Sequence, residues 1–585
     1  MGGRISLHHR VVSGFVIMLS ACQSSAVTQP VPEGPSYADA FTIVHIDKTV
    51  DTPTQLAVHA CAGLHNRELG GSIFVQTDED VPSSKIDGAV ANDQIWLAPL
   101  GLKAAATVPA RDFLAQCVQR FNGCVAFSYP EQQEIMPAIF TSAAALGAVP
   151  VTNESELSCK SIALDARAVF ADKKTQLLST KYAYENYLTM TTGLAMLNPG
   201  YNQQPEDQSN PDINSDTQTA LVDFVFSRKL FVTFLVNGCI DGHVEEALLS
   251  RIVNDSDWDK PVGVYGYNDS WLIGGYIYEA QTDCLDSANM GAIPTRTSNL
   301  SFFDTRRPAI DEAGKLPLNE PQAVSYDSSK TYVAFVIGDG DNIRYIMSTR
   351  RDWLQQRLDR CQNANPKCPP LTWTISPHLP DIAPDVLEWY YEAAKTTGVD
   401  YFMLPPSGYL YSYPGAMPSE VEDRFVEETE RAAKILGTHS TIHWEWFQDW
   451  DEAVDEFLPK YARLGAQIRG VFPVNVPYPI EAFTSWPDAK KFEVITGEDG
   501  GELVLFRSQS WRGVNGSDDF HPTPQQMADR LAGLPKGTVT WVYMTSDGGL
   551  NLENSYVELT TLLPAHVQLV STDAAARLAL EASGE

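Results

Sequence analysis

The feature that most constrains the fold is a regular alternation of short apolar runs and helical stretches from Thr331 to the C-terminus. Parallel strands joined by helices give this pattern. Eight strands over about 250 residues are typical of a (β/α)8 barrel, and an open doubly wound sheet is the alternative. The predicted strands are Thr331–Ile337, Leu371–Ile375, Tyr401–Leu404, Thr438–Trp444, Ile468–Pro473, Phe492–Ile495, Thr538–Tyr543 and His566–Val570.

The sixth predicted strand, Phe492–Ile495, has a second feature beside it. Residues Glu498–Gly501 resemble a hairpin turn that leads towards another apolar run, Leu503–Arg507. The sixth strand is therefore either Phe492–Ile495 itself or one arm of a hairpin.

The chain of 585 residues is too long for one core, so we predict two large domains. Residues 37–305 alternate apolar strand-like runs with helical ones and predict a separate N-terminal α/β domain. Residues 306–330 are rich in Pro and Ser and predict a linker. Residues 331–585 form the predicted C-terminal barrel domain, so the expected fold class is α/β.

The N-terminus has the features of an export signal. Arg4 and Arg10 precede a short apolar run, and Leu19-Ser20-Ala21-Cys22 resembles the lipobox of bacterial lipoproteins. Residues 1–22 then form a lipoprotein signal peptide, Cys22 carries the lipid, and residues 23–36 form a tether. We expect a protein anchored in the cell envelope, in the outer membrane, and the alternative is an ordinary cleaved signal peptide.

Charge and cysteine content narrow the partners and the compartment. With 74 acidic and 42 basic residues the formal net charge is −32, which argues against binding nucleic acid through bulk electrostatics. Apart from Cys22 there are eight cysteines, an even number that suggests disulfides in an exported protein. The pairs close in sequence, Cys117 with Cys124 and Cys361 with Cys368, are the predicted bonds, and free buried thiols are the alternative.

Carboxylates recur directly after the predicted barrel strands, where (β/α)8 barrels hold their active sites. Glycoside cleavage needs one carboxylic acid to protonate the leaving oxygen and a second carboxylate as nucleophile or base. The candidate catalytic residues are Asp339, Asp341, Glu445 and Asp547.

The residues that flank Glu445 and Asp341 in the sequence suggest different catalytic roles for these two carboxyl groups. Glu445 lies between Trp444 and Trp446, whose apolar rings should raise its pKa, so we predict Glu445 as the general acid. Asp341 lies in a polar Gly-Asp-Gly-Asp-Asn loop and is predicted to stay ionised as its partner, with Asp339 and Asp547 in reserve.

Each of these residues also has a structural interpretation. Asp341 or Asn342 can cap the following helix, Glu445 can be a buried hydrogen-bonded carboxylate, and Asp547 can be a turn residue.

Aromatic and polar residues crowd the same predicted rim. Aromatic faces stack on the apolar faces of sugar rings, and polar tips hydrogen-bond the hydroxyls. Packing against neighbouring helices is the alternative for residues 405–414, the Tyr-rich loop. The candidate substrate-binding residues are Tyr409, Tyr411, Tyr413, His378, Trp444, Trp446, Asn475, Arg507 and Trp511.

One loop carries a resemblance to a known family. Residues 408–414 read Gly-Tyr-Leu-Tyr-Ser-Tyr-Pro, and YVAFVIGDGDN at 332–342 and TWTISP at 372–377 support the same match. The C-terminal half resembles the GxGYxYP family of putative glycoside hydrolases, with Leu410 in place of the second Gly of the signature. The resemblance spans about residues 40–575 and implies a role in processing carbohydrate. It carries over no catalytic pair, and Leu410 leaves open the backbone path that Gly would allow there.

Three functions fit these observations. The first is a glycoside hydrolase that acts on poly- or oligosaccharide with two carboxylates and without cofactor or metal. The second is a metal-dependent hydrolase similar to a polysaccharide deacetylase, in which Asp339, Asp341 and His378 or His443 hold a divalent cation that activates water. The third is a surface lipoprotein that binds glycan without catalysis.

The lipobox gives the first testable prediction. The mature protein should begin at Cys22 and partition into detergent with a lipid adduct, and the Cys22→Ser variant should be released or misprocessed. Mass spectrometry of the purified N-terminus checks this. An unmodified N-terminus at another residue would contradict the prediction.

Overall fold

Short apolar runs form strands throughout the described part of the chain, and most of these strands pair in parallel. In the computed structural model, residues 37–585 belong to one compact unit. The structure describes residues 40–77, 96–200, 219–235, 237–238, 240, 242–266, 285–286, 288–295, 297–445, 449–474, 486, 490–507, 510–511, 521–545 and 552–584.

The N-terminal part contains three parallel sheets, with strand orders β2-β1-β3, β5-β4-β6 and β10-β9-β7-β8. Its strands are β1 (Phe41–Ile46), β2 (Ile73–Thr77), β3 (Ala104–Pro109), β4 (Cys124–Ala126), β5 (Val149–Val151), β6 (Ile162–Asp165), β7 (Leu194–Met196), β8 (Phe231–Thr233), β9 (Val262–Gly266) and β10 (Met290–Ile293). Its helices are α1 (Thr52–Leu69), α2 (Ala110–Arg120), α3 (Met136–Leu146), α4 (Ala166–Val169), α5 (Gln176–Tyr187), α6 (Val222–Arg228), α7 (Val244–Asp255) and α8 (Leu300–Arg306). These elements confirm the predicted α/β class for this part of the chain.

The C-terminal part is built from two sheets. One has the order β13-β12-β11-β19-β18, with β20 also paired to β11, and the other has the order β14-β15-β17-β16. The strands are β11 (Thr331–Ile337), β12 (Leu371–Thr374), β13 (Asp400–Met403), β14 (Ser440–His443), β15 (Gly470–Pro473), β16 (Phe492–Thr496), β17 (Glu502–Phe506), β18 (Ser510–Trp511), β19 (Val539–Met544) and β20 (Val567–Val570). An isolated parallel bridge joins Leu404, directly after β13, to Thr441 in β14. The described strands thus form two sheets and not a closed barrel, so the barrel stays a prediction.

Helices separate these strands as the alternation predicts. They are α9 (Ile343–Met347), α10 (Thr349–Cys361), α11 (Leu379–Ile382), α12 (Pro384–Thr397), α13 (Ser419–Leu436), α14 (Trp450–Glu452), α15 (Pro524–Ala532), α16 (Leu552–Leu562) and α17 (Thr572–Ser583). Among the described residues no helix is long and apolar enough to cross a membrane.

The hairpin alternative is correct at the sixth strand. β16 pairs antiparallel with β17, and β17 is the strand that continues the parallel order beside β15. Leu503 to Phe506 are all buried, whereas no residue of β16 is fully buried. Burial therefore selects the second arm of the hairpin for the sheet core.

One predicted disulfide forms and the other does not. Cys361 and Cys368 are bonded, as predicted. The predicted pair of Cys117 with Cys124 is wrong, because the bonds are Cys61–Cys117 and Cys124–Cys159. Cys117 lies on the buried face of α2, which packs on α1, whereas the chain has already turned into β4 at Cys124. Cys22, Cys239 and Cys284 lie outside the described residues.

The predicted linker contains no helix or strand between Arg306 and Thr331. It is nevertheless held against the C-terminal part by side-chain hydrogen bonds. Asn319 donates to the carbonyls of Ala394 (2.9 Å) and Asp400 (2.7 Å), and Gln322 accepts from the Ser571 N–H (2.9 Å).

A buried ion pair ties helix α10 to strand β13. Arg357 and Asp400 are paired through the Arg357 Nε, and neither side chain has exposed surface. Asp400 also accepts from the Trp373 indole N–H (2.9 Å) and the Thr397 hydroxyl (2.6 Å), while Arg357 donates to the Pro369 carbonyl (2.6 Å). Buried charges are tolerated only when their partners are in place, and here each charge is hydrogen-bonded.

This pair gives a stability prediction. Arg357→Met should lower the free energy of unfolding by about 3–5 kcal/mol, because it leaves the Asp400 carboxylate buried without its cation. The matched control is Arg424→Met, whose side chain is 48% exposed and pairs with Glu427 and Glu428 on its own helix, and which should cost under about 1 kcal/mol. Urea unfolding of both variants measures the difference. Equal losses would mean that the buried pair is not a main support of this fold.

Candidate active site

The loop after β11 holds two carboxylates in a fixed position. Asp339 adopts a positive φ of 61°, and its N–H donates to the Tyr543 hydroxyl (3.3 Å). The Gly340 N–H donates to Thr374 Oγ1 (2.9 Å), and a Cβ at Gly340 would lie 2.1 Å from the Thr374 carbonyl oxygen. Only glycine fits there, so the loop lies directly on the end of β12. This contact fixes the positions of Asp339 and Asp341.

Asn342 takes the capping role that the sequence left open. Its side chain accepts from the Arg344 N–H (3.1 Å) at the start of α9. The cap therefore leaves the Asp341 carboxyl available for other work.

Asp339 and Asp341 form a like-charged pair at the end of β11, and both side chains are half-buried. Burial, followed by the charge of Asp339, raises the pKa of Asp341 to about 7, against the opposing effect of Arg350. This raised pKa runs against the prediction that Asp341 stays ionised. Its loop is polar in sequence, but the carboxyl is desolvated and lies near a second negative charge.

Two further residues, Arg350 and Tyr543, complete this cluster, and neither was among the candidates predicted from the sequence. Arg350 is buried and donates to the carbonyls of Ile337 (3.2 Å) and Thr374 (3.1 Å), where β11 and β12 end. Burial, followed by the charges of Asp339 and Asp341, raises the pKa of Tyr543 well above its ordinary value. Tyr543 ends the predicted seventh strand, and that position was the signal that could have identified it.

Glu445 is enclosed rather than displayed at the rim. Its carboxyl has no exposed surface, accepts from the Gly415 N–H (2.9 Å) and lies 2.8 Å from Nε2 of His443. Burial raises the pKa of Glu445 well above its ordinary value and lowers the pKa of His443 to about 3. His443 is therefore neutral near pH 7. The predicted direction for Glu445 is confirmed, and the structural interpretation of this residue fits its position.

The Tyr-rich loop packs against the N-terminal part of the chain. Tyr411 exchanges two backbone hydrogen bonds with Ala292 in β10 (2.9 and 3.0 Å), and the Tyr413 N–H donates to Asp286 (2.6 Å). Leu410 is buried in the same contact, where a Cβ on Gly291 would lie 2.7 Å from the Leu410 Cβ. The residue that departs from the family signature thus fills the joint between the two parts.

The backbone path of this loop does not need glycine at position 410. Gly408 has a φ of 108°, whereas Leu410 is not among the residues with positive φ. A Cβ at Gly408 would also meet the Thr429 side chain at 2.7 Å. The conformational need for glycine therefore lies at the first signature position.

Most of the predicted sugar-stacking aromatics are packed into the protein. Tyr411 and Tyr413 contact Trp444 edge-to-face, with ring centroids 4.9 and 5.2 Å apart, and both Tyr413 and Trp444 are buried. Tyr409 and Tyr411 retain exposed surface. These two are the loop tyrosines that can present a face to a sugar ring.

Tyr409 borders a polar cavity of about 300 Å³ at the joint between the two parts. The His378 ring lies 5.0 Å from the Tyr409 ring, and burial lowers the pKa of His378 to about 4, so His378 is neutral. The other residues that line this cavity are Asp259, Lys260, Pro261, Arg424, Glu428 and Arg431.

The remaining predicted residues are dispersed. Trp511 is buried in the core and donates its indole N–H to the Pro522 carbonyl (2.8 Å), so it offers no stacking face. Arg507 follows β17, and its carbonyl accepts from the Trp541 indole (3.0 Å). Trp446, Asn475 and Asp547 lie outside the described residues.

The described residues bring together one set of side chains with metal-ligand geometry, Cys61, His65 and Cys117. The two cysteines are bonded to each other, which removes their thiolates as ligands. Asp339 and Asp341 do not form such a set with His378 or His443 among these residues. The geometry of the described residues therefore does not support the divalent-cation site of the alternative, metal-dependent hypothesis.

A comparison with known protein families tests the resemblance that the sequence suggests. Residues 329–476 match the family model described as GxGYxYP putative glycoside hydrolase C-terminal domain. The resemblance of this segment to the GxGYxYP family is therefore confirmed. The segment contains the Asp339–Asp341 loop, the Tyr-rich loop and Glu445.

The fold has a solved counterpart. A crystal structure of a putative hydrolase from Bacteroides thetaiotaomicron aligns with 93% of this chain and 95% of that chain, with a TM-score of 0.63 and 18% sequence identity. At this identity the likeness concerns the fold alone, and it extends beyond the GxGYxYP domain into the N-terminal part. No curated protein matches the chain.

The buried joint predicts a cost for altering the signature loop. Leu410→Ala should lower the free energy of unfolding by about 2–5 kcal/mol, because it leaves a cavity against Gly291. The control is Leu178→Ala, whose side chain is 45% exposed and which should change stability by under about 0.5 kcal/mol. Thermal and urea unfolding measure both. A Leu410 effect as small as the control would show that this contact does not hold the two parts together.

Proposed function

We propose that the protein is a glycoside hydrolase that cleaves poly- or oligosaccharide with two carboxyl groups at the end of β11. The family description supports the reaction class. The observation that carries the proposal is the pair of Asp341, with a pKa of about 7, and the nearby Asp339, whose negative charge contributes to that raised pKa. Two carboxyls in unlike protonation states are what acid-assisted glycoside cleavage needs.

In this proposal Asp341 is the general acid and Asp339 is the nucleophile or base. Protonated Asp341 donates its proton to the glycosidic oxygen as the bond to the anomeric carbon breaks. Ionised Asp339 attacks that carbon or removes a proton from the attacking water. The charge of Asp339 also keeps the proton on Asp341 until the oxygen takes it.

The proposal gives Glu445 a positioning role instead of the acid role first predicted. Its enclosed carboxyl holds the Gly415 N–H, at the short 3-10 helix Pro414–Ala416 that follows the Tyr-rich loop. Glu445 would thereby set the path of the loop that carries Tyr409 and Tyr411. Asp547 is kept as a reserve carboxylate.

We further propose that the two C-terminal sheets are parts of one (β/α)8-type barrel. The bridge between Leu404 and Thr441 links one pair of sheet edges. β17 and β18 follow each other closely in the chain, and they pair with β15 and β19 respectively, which supports a link between the other edges. Such a barrel would gather the carboxyl ends of its strands, with Asp339, Asp341 and His378, at one face.

The proposed site of action is the cell envelope, with the protein held by a lipid on Cys22. An anchored hydrolase would meet polysaccharide at the membrane surface. The segment 37–305 would act as a domain that docks on the Tyr-rich loop, as the contacts of Tyr411 and Tyr413 support.

Replacing Asp341, the proposed general acid, tests the role assigned to it. Asp341→Asn should lower turnover of natural glycans at least about a hundredfold, because general acid catalysis contributes roughly that much or more. Substrates with good leaving groups should lose far less activity, since they need little protonation. Glycan-panel digestion beside activated aryl glycosides measures both. If Glu445→Gln instead showed this selective sparing, the acid would be Glu445 and the proposed roles would be reversed.

The pH profile tests the coupling between the carboxyls. Activity should fall as pH rises through about 7, because Asp341 loses its proton there. In Asp339→Asn the residual activity should fall at lower pH, because removing the neighbouring negative charge lowers the pKa of Asp341. Rates from pH 4 to 9 for both proteins measure the shift. An unchanged alkaline limb in Asp339→Asn would contradict the coupling.

A further inference from the structure

A large cavity lies at the opposite end of the C-terminal strands from the candidate active site. It has a volume of about 680 Å³ and reaches Asp400, His439, Arg469 and Glu502, at or just before the amino ends of β13, β14, β15 and β17. One wall is formed by the segment between the two parts, through Pro317, Leu318, Asn319, Pro321 and Gln322. Small-molecule sites commonly have volumes of about 300–1,000 Å³, so this cavity has the size of a ligand site.

The walls of the cavity are largely apolar. Leu436 and Phe402 form part of the buried lining, and Leu318 and Leu464 stand at the surface with 42% and 74% of their side chains exposed. Leu318 and Leu464 are among the few exposed large hydrophobic residues in the described part of the chain. Exposed leucines beside an apolar cavity are typical of a surface that a ligand covers.

The charged groups at the cavity differ in how well they are satisfied. Asp573 accepts from the His439 N–H (3.2 Å) and the Ser440 hydroxyl, Arg577 pairs with Glu581 (2.8 Å), and Asp400 is paired with Arg357. Glu502 is exposed and therefore hydrated.

Arg469 is the exception among these groups. Its side chain is half-buried, and within the described residues its guanidinium has no hydrogen bond or ion pair. A partly desolvated guanidinium beside apolar walls favours an anion with an apolar body.

We propose that this cavity binds a small amphipathic carboxylate, with its alkyl chain on the leucine-lined wall and its carboxylate on Arg469. Arg469 can hold a carboxylate through two parallel N–H donors. A chain of net charge −32 repels anions in general, so binding here depends on local pairing with Arg469 and on burial of the alkyl chain. The proposal is independent of the glycoside hydrolase assignment.

Isothermal titration of the full-length protein with decanoate, below its micelle-forming concentration, tests the site. We expect saturable binding of one decanoate per chain, with acetate and decyltrimethylammonium at least about tenfold weaker, because one lacks the apolar chain and the other the negative charge. Arg469→Gln should weaken decanoate at least about tenfold. The matched control, Arg111→Gln, removes an exposed cation from the N-terminal part and should leave binding unchanged.

A second variant guards against a fold defect in Arg469→Gln. Leu464→Glu changes a side chain that is 74% exposed and should fold normally, yet it places a negative charge at the cavity mouth and should weaken decanoate by a similar factor. Equal decanoate affinity in the wild type and both cavity variants would overturn the proposal. Decanoate and decyltrimethylammonium binding with equal affinity would overturn it as well.

Discussion

The Arg357–Asp400 pair is the constraint on which much of the C-terminal part depends. A carboxylate and a guanidinium without exposed surface are stable only when every partner is present, and here the interacting groups come from α10, α12, β12, β13 and the loop before β12. Arg350 lies seven residues earlier on the same helix, about 10 Å along its axis, and holds the carboxyl ends of β11 and β12. Helix α10 therefore places Arg357 near the amino ends of the strands and Arg350 near their carboxyl ends. The Asp339–Asp341 loop lies at the carboxyl end of β11, near Arg350.

The positions of the fully buried strands could be predicted because burial on both faces requires apolar side chains along the whole strand. β11, β12 and β19 are buried throughout, so an uninterrupted apolar run was sufficient to find them. Near the predicted sixth strand, two apolar runs were candidates for the parallel sheet. The run that forms β17 takes this place, because that arm of the hairpin pairs with β15. That choice depends on tertiary contact and is not present in local sequence.

The chemistry of single residues was harder to predict because it depends on neighbours distant in the chain. Asp341 appeared polar among Gly, Asp and Asn, yet folding buries it and holds Asp339 and Arg350 near it. Tyr411 and Tyr413 were predicted to stack on sugar rings. Their backbone groups instead form hydrogen bonds with β10 and with Asp286, more than a hundred residues earlier. The predicted pair of Cys117 with Cys124 failed for the same reason, since Cys61 and Cys159 are brought together with their partners only by the packing of α1, α2 and β4.

The bridge between Ala292 and Tyr411 also affects the order in which the chain can fold. β10 is the outer strand of its sheet, all four of its residues are buried, and Tyr411 pairs with its open side. During synthesis the N-terminal part emerges first, and this edge stays uncovered until a further 120 or so residues have been made. An unpaired apolar edge is a template for joining other chains. The Tyr-rich loop thus covers the β10 edge only late in synthesis. Chains that end before Tyr411 would leave this edge exposed and would be prone to self-association.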